Sequence, residues 1–441
     1  MKKVTIRIAD ELCQQIRIDL LRPHNFAYER VGFVIGKSKE LQDGKELVII
    51  TEYIPIANEH YIEDDTVGAR IDSNAIRIAM QIVMNRKCSM FHVHAHFGNG
   101  TPLFSSTDLE ELPNIAAAMI NANPLSVHGA LLINEDAANA IVMMKSSRGE
   151  ISLEKITRVG YPMKFNKLWY QNVKFDKNRY DRQSFLGKWS QHIISEIRIG
   201  IIGLGGGGSH LVQQLAHLGI QNYVIFDFDI VDESNLNRLV SGKVSDAKSK
   251  SKKTDVAFKQ ITGLQPKANV KIVNSTWQEN SYLLQECDVI FGAVDSFAAR
   301  RDIELECRRY LIPYIDIGMD VCIVGSEPPR LFGQIILSLP GKPCMHCIGY
   351  LTEKLLAKEA SKYGDAGKKP QVVWSNGVLA SNAIGIFVDM ITGWSKKKEI
   401  IYYQEYDGNN ITLTKSYRLD YLRHGHCIHF PLRESGPINW T

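Results

Sequence analysis

Apolar residues recur along this chain with two periods, and the two alternate. Val4, Ile6 and Ile8 alternate with polar residues like a strand, and a helix-like segment runs on to Leu21. Arg30–Ile35 and Glu46–Ile56 read as strands, and Ser73–Asn85 as a helix. From Leu168 to Ser195 the chain is aromatic and basic without clear periodicity. Regular patterning returns with an apolar strand at Ile197–Ile202, a glycine-rich loop, a helix from Ser209 to Leu218 that stops at Gly219, and a strand at Tyr223–Phe226. Further strands are expected after Cys287, at Pro313–Gly318 and at Phe332–Leu337, a long apolar helix at Asn376–Trp394, and strands near Ile400–Tyr403 and Ile411–Lys415.

The strand–loop–helix–strand unit carries the first chemistry. Gly203, Gly205 and Gly208 stand in G-x-G-x-x-G spacing. Such glycines let backbone N–H groups approach a phosphate at a helix N-terminus. Asp227 and Asp229 follow about twenty positions later, where an acidic residue holds a ribose. That loop alone also suits nicotinamide and flavin enzymes. The run from Asp227 through Asn235 to Arg238 changes the reading, because an Arg and an Asn past the second strand suit a triphosphate. It resembles the D-x-D-x-V-x-x-S-N-x-x-R signature of the ThiF/MoeB/ubiquitin-activating superfamily, which adenylates the C-terminal glycine of ubiquitin-like proteins.

That resemblance extends from about Arg179 to Trp394 and implies a Rossmann-like, mostly parallel, doubly wound sheet. It implies a phosphate-binding lysine, for which Lys253 is the first choice and Lys250 the alternate. It also implies magnesium at Asp295, the carboxylate ending the strand after Cys287, with Arg300 facing the same cleft. Arg179-Tyr-Asp-Arg182-Gln resembles the arm by which dimeric relatives place an arginine in the partner's ATP site, so Arg182 and a homodimer through the adenylation domain are implied. Cys344 and Cys347 fall where many relatives have half of a four-cysteine zinc site. The second C-x-x-C is missing; Cys427 remains, flanked by His424, His426 and His429, leaving either a mixed-ligand structural zinc or a reduced pair. The segment Leu351–Trp374 lacks the cysteine that conjugating relatives use for a thioester, which favours adenylation without transfer or a cysteine elsewhere, such as Cys322.

The first half contains His92, His94 and His96 in alternation, a glycine loop, and Ser105-Ser-Thr-Asp108. On a strand such histidines share a face. Two imidazoles and a carboxylate would form an open zinc site, while Ser105–Asp108 also reads as a helix N-terminus. The pattern resembles the JAB/MPN/JAMM metalloproteases over roughly Ala27–Asn134. It implies His94, His96 and Asp108 as zinc ligands, Glu29 as general base and Ser105 as oxyanion stabiliser. Eleven residues separate His96 from Asp108, one more than expected, and His92 with His94 is the alternative pair.

The length of 441 residues allows about three domains or two large ones, and the two resemblances imply an α/β protein with a JAMM (MPN) α/β domain at 1–160, a linker and arginine arm at 161–195, and an adenylation domain at 196–441. With 44% hydrophobic and 23% charged residues a sizeable core is possible. A net charge of +4 does not imply nucleic acid, and the lysine clusters at Lys243–Lys259 and Lys396–Lys398 read as solvated faces. Eight scattered cysteines are not a disulfide framework, the first residues do not resemble a signal peptide, and no membrane-spanning run is present. A cytoplasmic setting is expected. Both resemblances point to one substrate class, a ubiquitin-like β-grasp protein, with zinc, ATP and magnesium as cofactors. Such fusions resemble bacterial ubiquitin-like pathways serving protein modification, phage defence included, or sulfur transfer. Activation of a sulfur carrier for cofactor or metabolite synthesis, a nucleotide-binding oxidoreductase, and a non-catalytic nucleotide-binding interaction module are the other readings.

Overall fold

The computed structural model describes residues 1–24, 28–64, 68–361, 370–397 and 399–437. Ala27, the middle of the segment Leu351–Trp374 and Lys398 lie outside the described residues. The chain divides into two compact bodies. The first holds Met1–Asn172, Arg309–Leu311 and the strip from Pro431; the second holds Val173–Arg308 and Ile312–Phe430.

In the first body the chain runs β1 (Lys2–Ala9), α1 (Asp10–Leu20), β2 (Val31–Glu40), β3 (Glu46–Pro55), a small pair β4 (Tyr61–Ile62) and β5 (Arg70–Ile71), α2 (Ser73–Arg86), β6 (Ser89–Ala95), α3 (Ser106–Ala122), β7 (His128–Ile133), β8 (Ala138–Met143), β9 (Ile151–Val159), β10 (Lys164–Phe165) and α4 (Lys167–Tyr170). Eight strands form one mixed sheet in the order β10-β9-β1-β3-β2-β6-β7-β8. Its central strands are buried on both faces, which is why β2 and β3 read as continuous apolar runs. Val34, Val48, Ile50, Phe91 and Val93 pack with Leu12, Cys13 and Ile16 of α1. Val31, Phe33, Ile35 and Met90 face the other way, with Ala79 and Val83 of α2 and Met119 of α3. The alternation of β6 therefore puts Met90, His92 and His94 on the side of α2 and α3.

A buried ion pair ties this body together. Arg158 is 1% exposed, and its Nε and Nη2 donate to Asp10 Oδ1 at 2.9 and 2.6 Å. Its Nη1 donates to the carbonyls of Asn134 and Glu135 at 2.7 and 3.1 Å.

The second body opens with a 3-10 turn at Asn178–Leu186 and continues α5 (Ser190–Glu196), β11 (Arg198–Ile202), α6 (Gly206–Leu218), β12 (Asn222–Phe226), α7 (Val244–Lys248), α8 (Lys253–Leu264), β13 (Asn269–Val273), α9 (Ser281–Leu284), β14 (Val289–Gly292), α10 (Phe297–Arg309), β15 (Tyr314–Cys322), β16 (Arg330–Ser338), α11 (Glu353–Ser361), α12 (Val373–Thr392), β17 (Tyr403–Asp407) and β18 (Thr412–Lys415). The sheet order is β13-β12-β11-β14-β15-β16-β17-β18. The strands from β13 to β15 run parallel and the last three join antiparallel. The chain winds outward from β11 through β12 to β13, then returns to the other side of β11 at β14. That reversal opens a crevice at the C-terminal ends of β11 and β14, where open α/β sheets bind ligands.

Boundaries moved where propensity is overridden. The helix after the glycines starts at Gly206 rather than Ser209, because it packs on α8 and α12. The penultimate strand begins at Tyr403, where the apolar run ends, because pairing with Phe332–Ile336 decides it. Among the described residues no helix is long and apolar enough to cross a membrane.

Removing one partner of a buried ion pair leaves an uncompensated charge. Asp10→Ala is expected to destabilise the first body by about 3 kcal/mol, read as a lower urea midpoint, with an unchanged midpoint counting against this role of Arg158.

Candidate functional site

The glycine loop is shaped by close approach. Gly203, at φ 88°, donates its N–H to the Phe226 carbonyl at 3.0 Å. A Cβ on Gly208 would lie 1.9 Å from the Gly203 carbonyl oxygen, and one on Gly203 2.5 Å from that of Ala293. Gly205 faces open space at the N-terminus of α6. The helix N-terminus is thus held against β11 and β14 with its first amides toward the crevice.

The crevice is a cavity of about 1380 Å³. Gly203, Gly205, Asp227, Asp229, Asn235, Arg238, Lys253 and Asp295 all line it; Gly208 packs behind the loop. Asp227 Oδ2 accepts the Leu204 amide at 2.7 Å and Oδ1 the Asp229 amide at 2.8 Å, so this carboxylate shapes the loop. Burial pushes its pKa up, against the pull of Lys253 and of those amides. Lys253 Nζ lies 2.5 Å from Asp229 Oδ2. Asn235 spends its side-chain oxygen on the Asp232 amide at 3.1 Å. Arg238 is aimed by three acceptors: the Ser234 carbonyl at 2.6 Å, Asn237 Oδ1 at 2.9 Å and Gln371 Oε1 at 3.1 Å. Arg300 also lines the cavity, but its Nε bonds both oxygens of the fully buried Asp316 at 3.1 Å. Asp316 and Gln371 are site residues that pattern reading missed; no motif marks them.

Arg182 is exposed and does not line the cavity. Its turn packs on the far end of α6, where Gln183 donates to the Leu218 carbonyl at 3.0 Å and Tyr180 is buried. That end of α6 leads into the N-terminal end of β12, opposite the glycine loop. Lys250 sits in a left-handed turn, φ 50°, and does not line the cavity.

Cys344, Cys347, Cys427 and His429 bring four donor atoms within 4.8 Å of one another. The Sγ–Sγ separations are 3.6 Å for Cys344–Cys347 and 3.9 Å for Cys347–Cys427. His429 Nδ1 is 3.4 and 3.3 Å from the two sulfurs of the Cys-x-x-Cys. Zinc–sulfur bonds of about 2.3 Å give a tetrahedral edge near 3.8 Å, so the donor set fits zinc. A hydrogen bond from Cys344 pushes the Cys427 thiol down, against its burial. Of the three flanking histidines His429 is the one drawn in.

In the first body Glu29, His94 and His96 place donor atoms within 4.8 Å of one another. His94 Nε2 lies 3.3 Å from Asp108 Oδ1 and His96 Nε2 3.8 Å from Asp108 Oδ2. His96 Nδ1 is 3.1 Å from the Leu103 carbonyl, which selects the tautomer with a free Nε2 lone pair. His94 is 2% exposed, and among the described residues neither ring nitrogen makes a hydrogen bond. A buried imidazole without one suits a ligand better than a core residue. His92 packs its edge on Phe33 and lies outside the group; burial, reinforced by His94, pushes its pKa down to about 3. The long spacing to Asp108 is taken up by a loop that Asn134 clamps, donating to the carbonyls of Gly98 and Gly100 at 3.1 and 2.8 Å. Ser105 caps α3: its Oγ accepts the Asp108 amide at 3.1 Å and donates to Asp108 Oδ2 at 2.8 Å. The serine therefore braces the carboxylate.

The ThiF family profile matches residues 179–427. Molybdopterin-synthase adenylyltransferase of Escherichia coli is 28% identical over 225 residues, 49% of this chain and 83% of that protein. The SAMP-activating enzyme E1 of Haloferax volcanii is 27% identical over 177 residues, 37% of this chain and 62% of that protein. A crystal structure of E. coli MccB with succinimide aligns at 20% identity, covering 55% of this chain and 72% of that one, with a TM-score of 0.45.

Burial alone would raise the Asp108 pKa; His94 and the Ser105 groups outweigh it and hold it well below the usual carboxylate range. A depressed carboxylate stabilises the fold above its unfolded value, here 3.8, and loses that contribution as pH falls through the folded value. In metal-free protein, the stability gap between wild type and Asp108→Ala should be full near neutral pH and shrink below pH about 4. A gap independent of pH in urea titrations would contradict it.

Proposed function

The chain belongs to the ThiF family, and from that premise we propose that its second body is an ATP-dependent adenylyltransferase acting on the C-terminal carboxylate of a ubiquitin-like or sulfur-carrier protein. The observation that carries this reading is the convergence of the glycine loop, Arg238, Lys253 and Asp295 on one cavity at the sheet's switch point. A dehydrogenase has no use for two phosphate-directed cations beside a carboxylate there. Loop amides and the α6 N-terminus would cradle the phosphates, with Arg238 and Lys253 neutralising their oxygens. Asp227 is committed to the loop, which leaves Asp229 for the ribose. Asp295 would hold magnesium, which screens the triphosphate when bound. The protein carboxylate then attacks the α-phosphorus, an O–P bond forms, and pyrophosphate leaves. Alignment and fixed charge supply most of the rate.

We propose that Arg182, which does not line its own cleft, acts in the cleft of a second copy. The first body would be a zinc peptidase that trims or deconjugates the same partner. His94, His96 and Asp108 would hold the metal, which lowers the pKa of a bound water, and Glu29 would take that water's proton. Ser105 would reach an oxyanion only by leaving Asp108. Cys344, Cys347, Cys427 and His429 would hold a structural zinc. A sulfur-carrier pathway is the second reading, favoured by the absence of cysteine from Leu351–Trp374.

The defining experiment incubates the chain, zinc and MgATP with a small β-grasp protein encoded beside it and records that protein's intact mass. Loss of C-terminal residues with gain of AMP is expected; AMP without trimming removes the peptidase claim, and an unchanged mass counts against both. Asp295→Ala and Lys253→Ala should each slow ATP–pyrophosphate exchange by at least about 100-fold, and a wild-type rate in Asp295→Ala would rule out its role. Glu29→Gln should keep zinc and lose cleavage. Mixing inactive Arg182→Ala with inactive Asp295→Ala should restore part of the activity through hybrid dimers; no recovery on mixing would rule out an arm acting in trans.

A further inference from the structure

Helix α10 buries three charged side chains spaced four residues apart: Arg300, Glu304 and Arg308 are 6%, 0% and 3% exposed. That spacing sets them on one stripe of the helix. Charges so buried persist only when paired and hydrogen-bonded, and the partners differ from one end of the stripe to the other.

At the cleft end Arg300 holds Asp316, whose Oδ1 also accepts the Tyr314 hydroxyl at 2.8 Å. Arg300, Gly318 and Gln334 form part of the cavity wall, and a Cβ on Gly318 would sit 2.4 Å from Arg300 Nη2. The helix begins two residues after Asp295, and Ser296 Oγ caps it at the Ala299 amide, 3.0 Å away. At the other end Arg308 donates Nη1 to the Lys342 carbonyl at 2.7 Å and Nη2 to that of Pro343 at 3.0 Å. Those are the two carbonyls preceding Cys344. Between the ends, Glu304 Oε1 accepts the amide of Met345 at 2.9 Å, inside the Cys344–Cys347 knuckle. Glu304 Oε1 also accepts the Ser338 hydroxyl, and among the described residues Oε2 meets no hydrogen-bond partner. The helix that carries Arg300 of the cleft wall thus grips three backbone groups at the knuckle: the carbonyls of Lys342 and Pro343 and the amide of Met345.

We infer that α10 couples the four-donor knuckle to the cleft, with Glu304 as the positioning residue, so that a nucleotide in the cleft slows metal release from the knuckle. This rests on the adenylation reading of the cleft. A knuckle closed on its metal fixes the Met345 amide against Glu304. An opened knuckle withdraws that donor from a buried carboxylate that already has one unsatisfied oxygen, so α10 must shift, and Arg300 with it. Coupling between two binding equilibria is reciprocal, so ligand at either end tightens the other.

Cobalt(II) tests this in the full chain, because thiolate-to-cobalt absorption reports the cysteine knuckle and not the histidine group. Release to excess chelator is followed with and without α,β-methylene-ATP, while equilibrium dialysis measures nucleotide bound. The nucleotide should slow release at least about fivefold in wild type. Glu304→Gln, which keeps an acceptor for the Met345 amide, should retain the effect, and Glu304→Met should lose it while still showing the thiolate band. Release that ignores bound nucleotide, or coupling that survives in Glu304→Met, overturns the inference. If Glu304→Met does not fold, Met345 amide exchange in wild type decides: slowing by nucleotide supports the link, indifference overturns it. Dialysis showing no bound nucleotide removes the adenylation reading, and the coupling with it.

Discussion

The approach of Gly208 to the carbonyl of Gly203 is the constraint from which the second body takes its form. With 1.9 Å between a would-be Cβ and that oxygen, no larger residue lets α6 leave β11 at this angle. The tight exit aims the first amides of α6 into the space beside β14. It also lets the Asp227 carboxylate reach the Leu204 amide. The groups proposed for the triphosphate and its magnesium are arranged around that one exit: Lys253 from the start of α8, Arg238 from the turn after β12, Asp295 from just past β14.

The chain pairs its most deeply buried arginines and leaves Arg238 and Lys253 lining the cavity. Arg158 with Asp10, and Arg300 with Asp316, are enclosed and matched. Arg238 is held by neutral oxygens, so its full charge remains for a ligand. Lys253 pairs with the half-exposed Asp229, a contact that an incoming phosphate can displace at small cost. The same logic separates Asp227 from Asp229. One is buried and bound to amides, the other exposed and exchangeable.

Both four-residue donor groups are built from parts distant in sequence. The histidines come from one strand, Asp108 from a helix cap and Glu29 from the approach to β2. The cysteines come from a knuckle and from a turn eighty residues on. In each case a local rule brings donors to one side, and backbone clamps such as Asn134 and Arg308 set the distance. Ser105 illustrates how a catalytic-looking motif and a capping box share one geometry: the S-x-x-D spacing that closes a helix end is also the one that steadies the Asp108 carboxylate.

Much of this was legible in the residues themselves. A period-two run marked β1, continuous apolar runs marked β2 and β3, the glycine spacing marked the strand-to-helix exit, and the carboxylate after β14 marked the crevice, because these are local consequences of backbone geometry. Alternation alone could not choose between His92 and His96 as the partner of His94; the position of α3 did, by bringing Asp108 to the outer pair. Nor could spacing choose among three histidines near Cys427, since only the folded turn draws His429 to the sulfurs. Asp316, Gln371 and Glu304 carry no motif, and their parts follow from burial beside residues far along the chain. The sequence by itself determined which segments are strands, helices and phosphate loops, since propensity, periodicity and glycine sterics act over a few residues. Only the tertiary structure decided which polar groups meet, because desolvation and ion pairing act across elements that chain order does not place side by side.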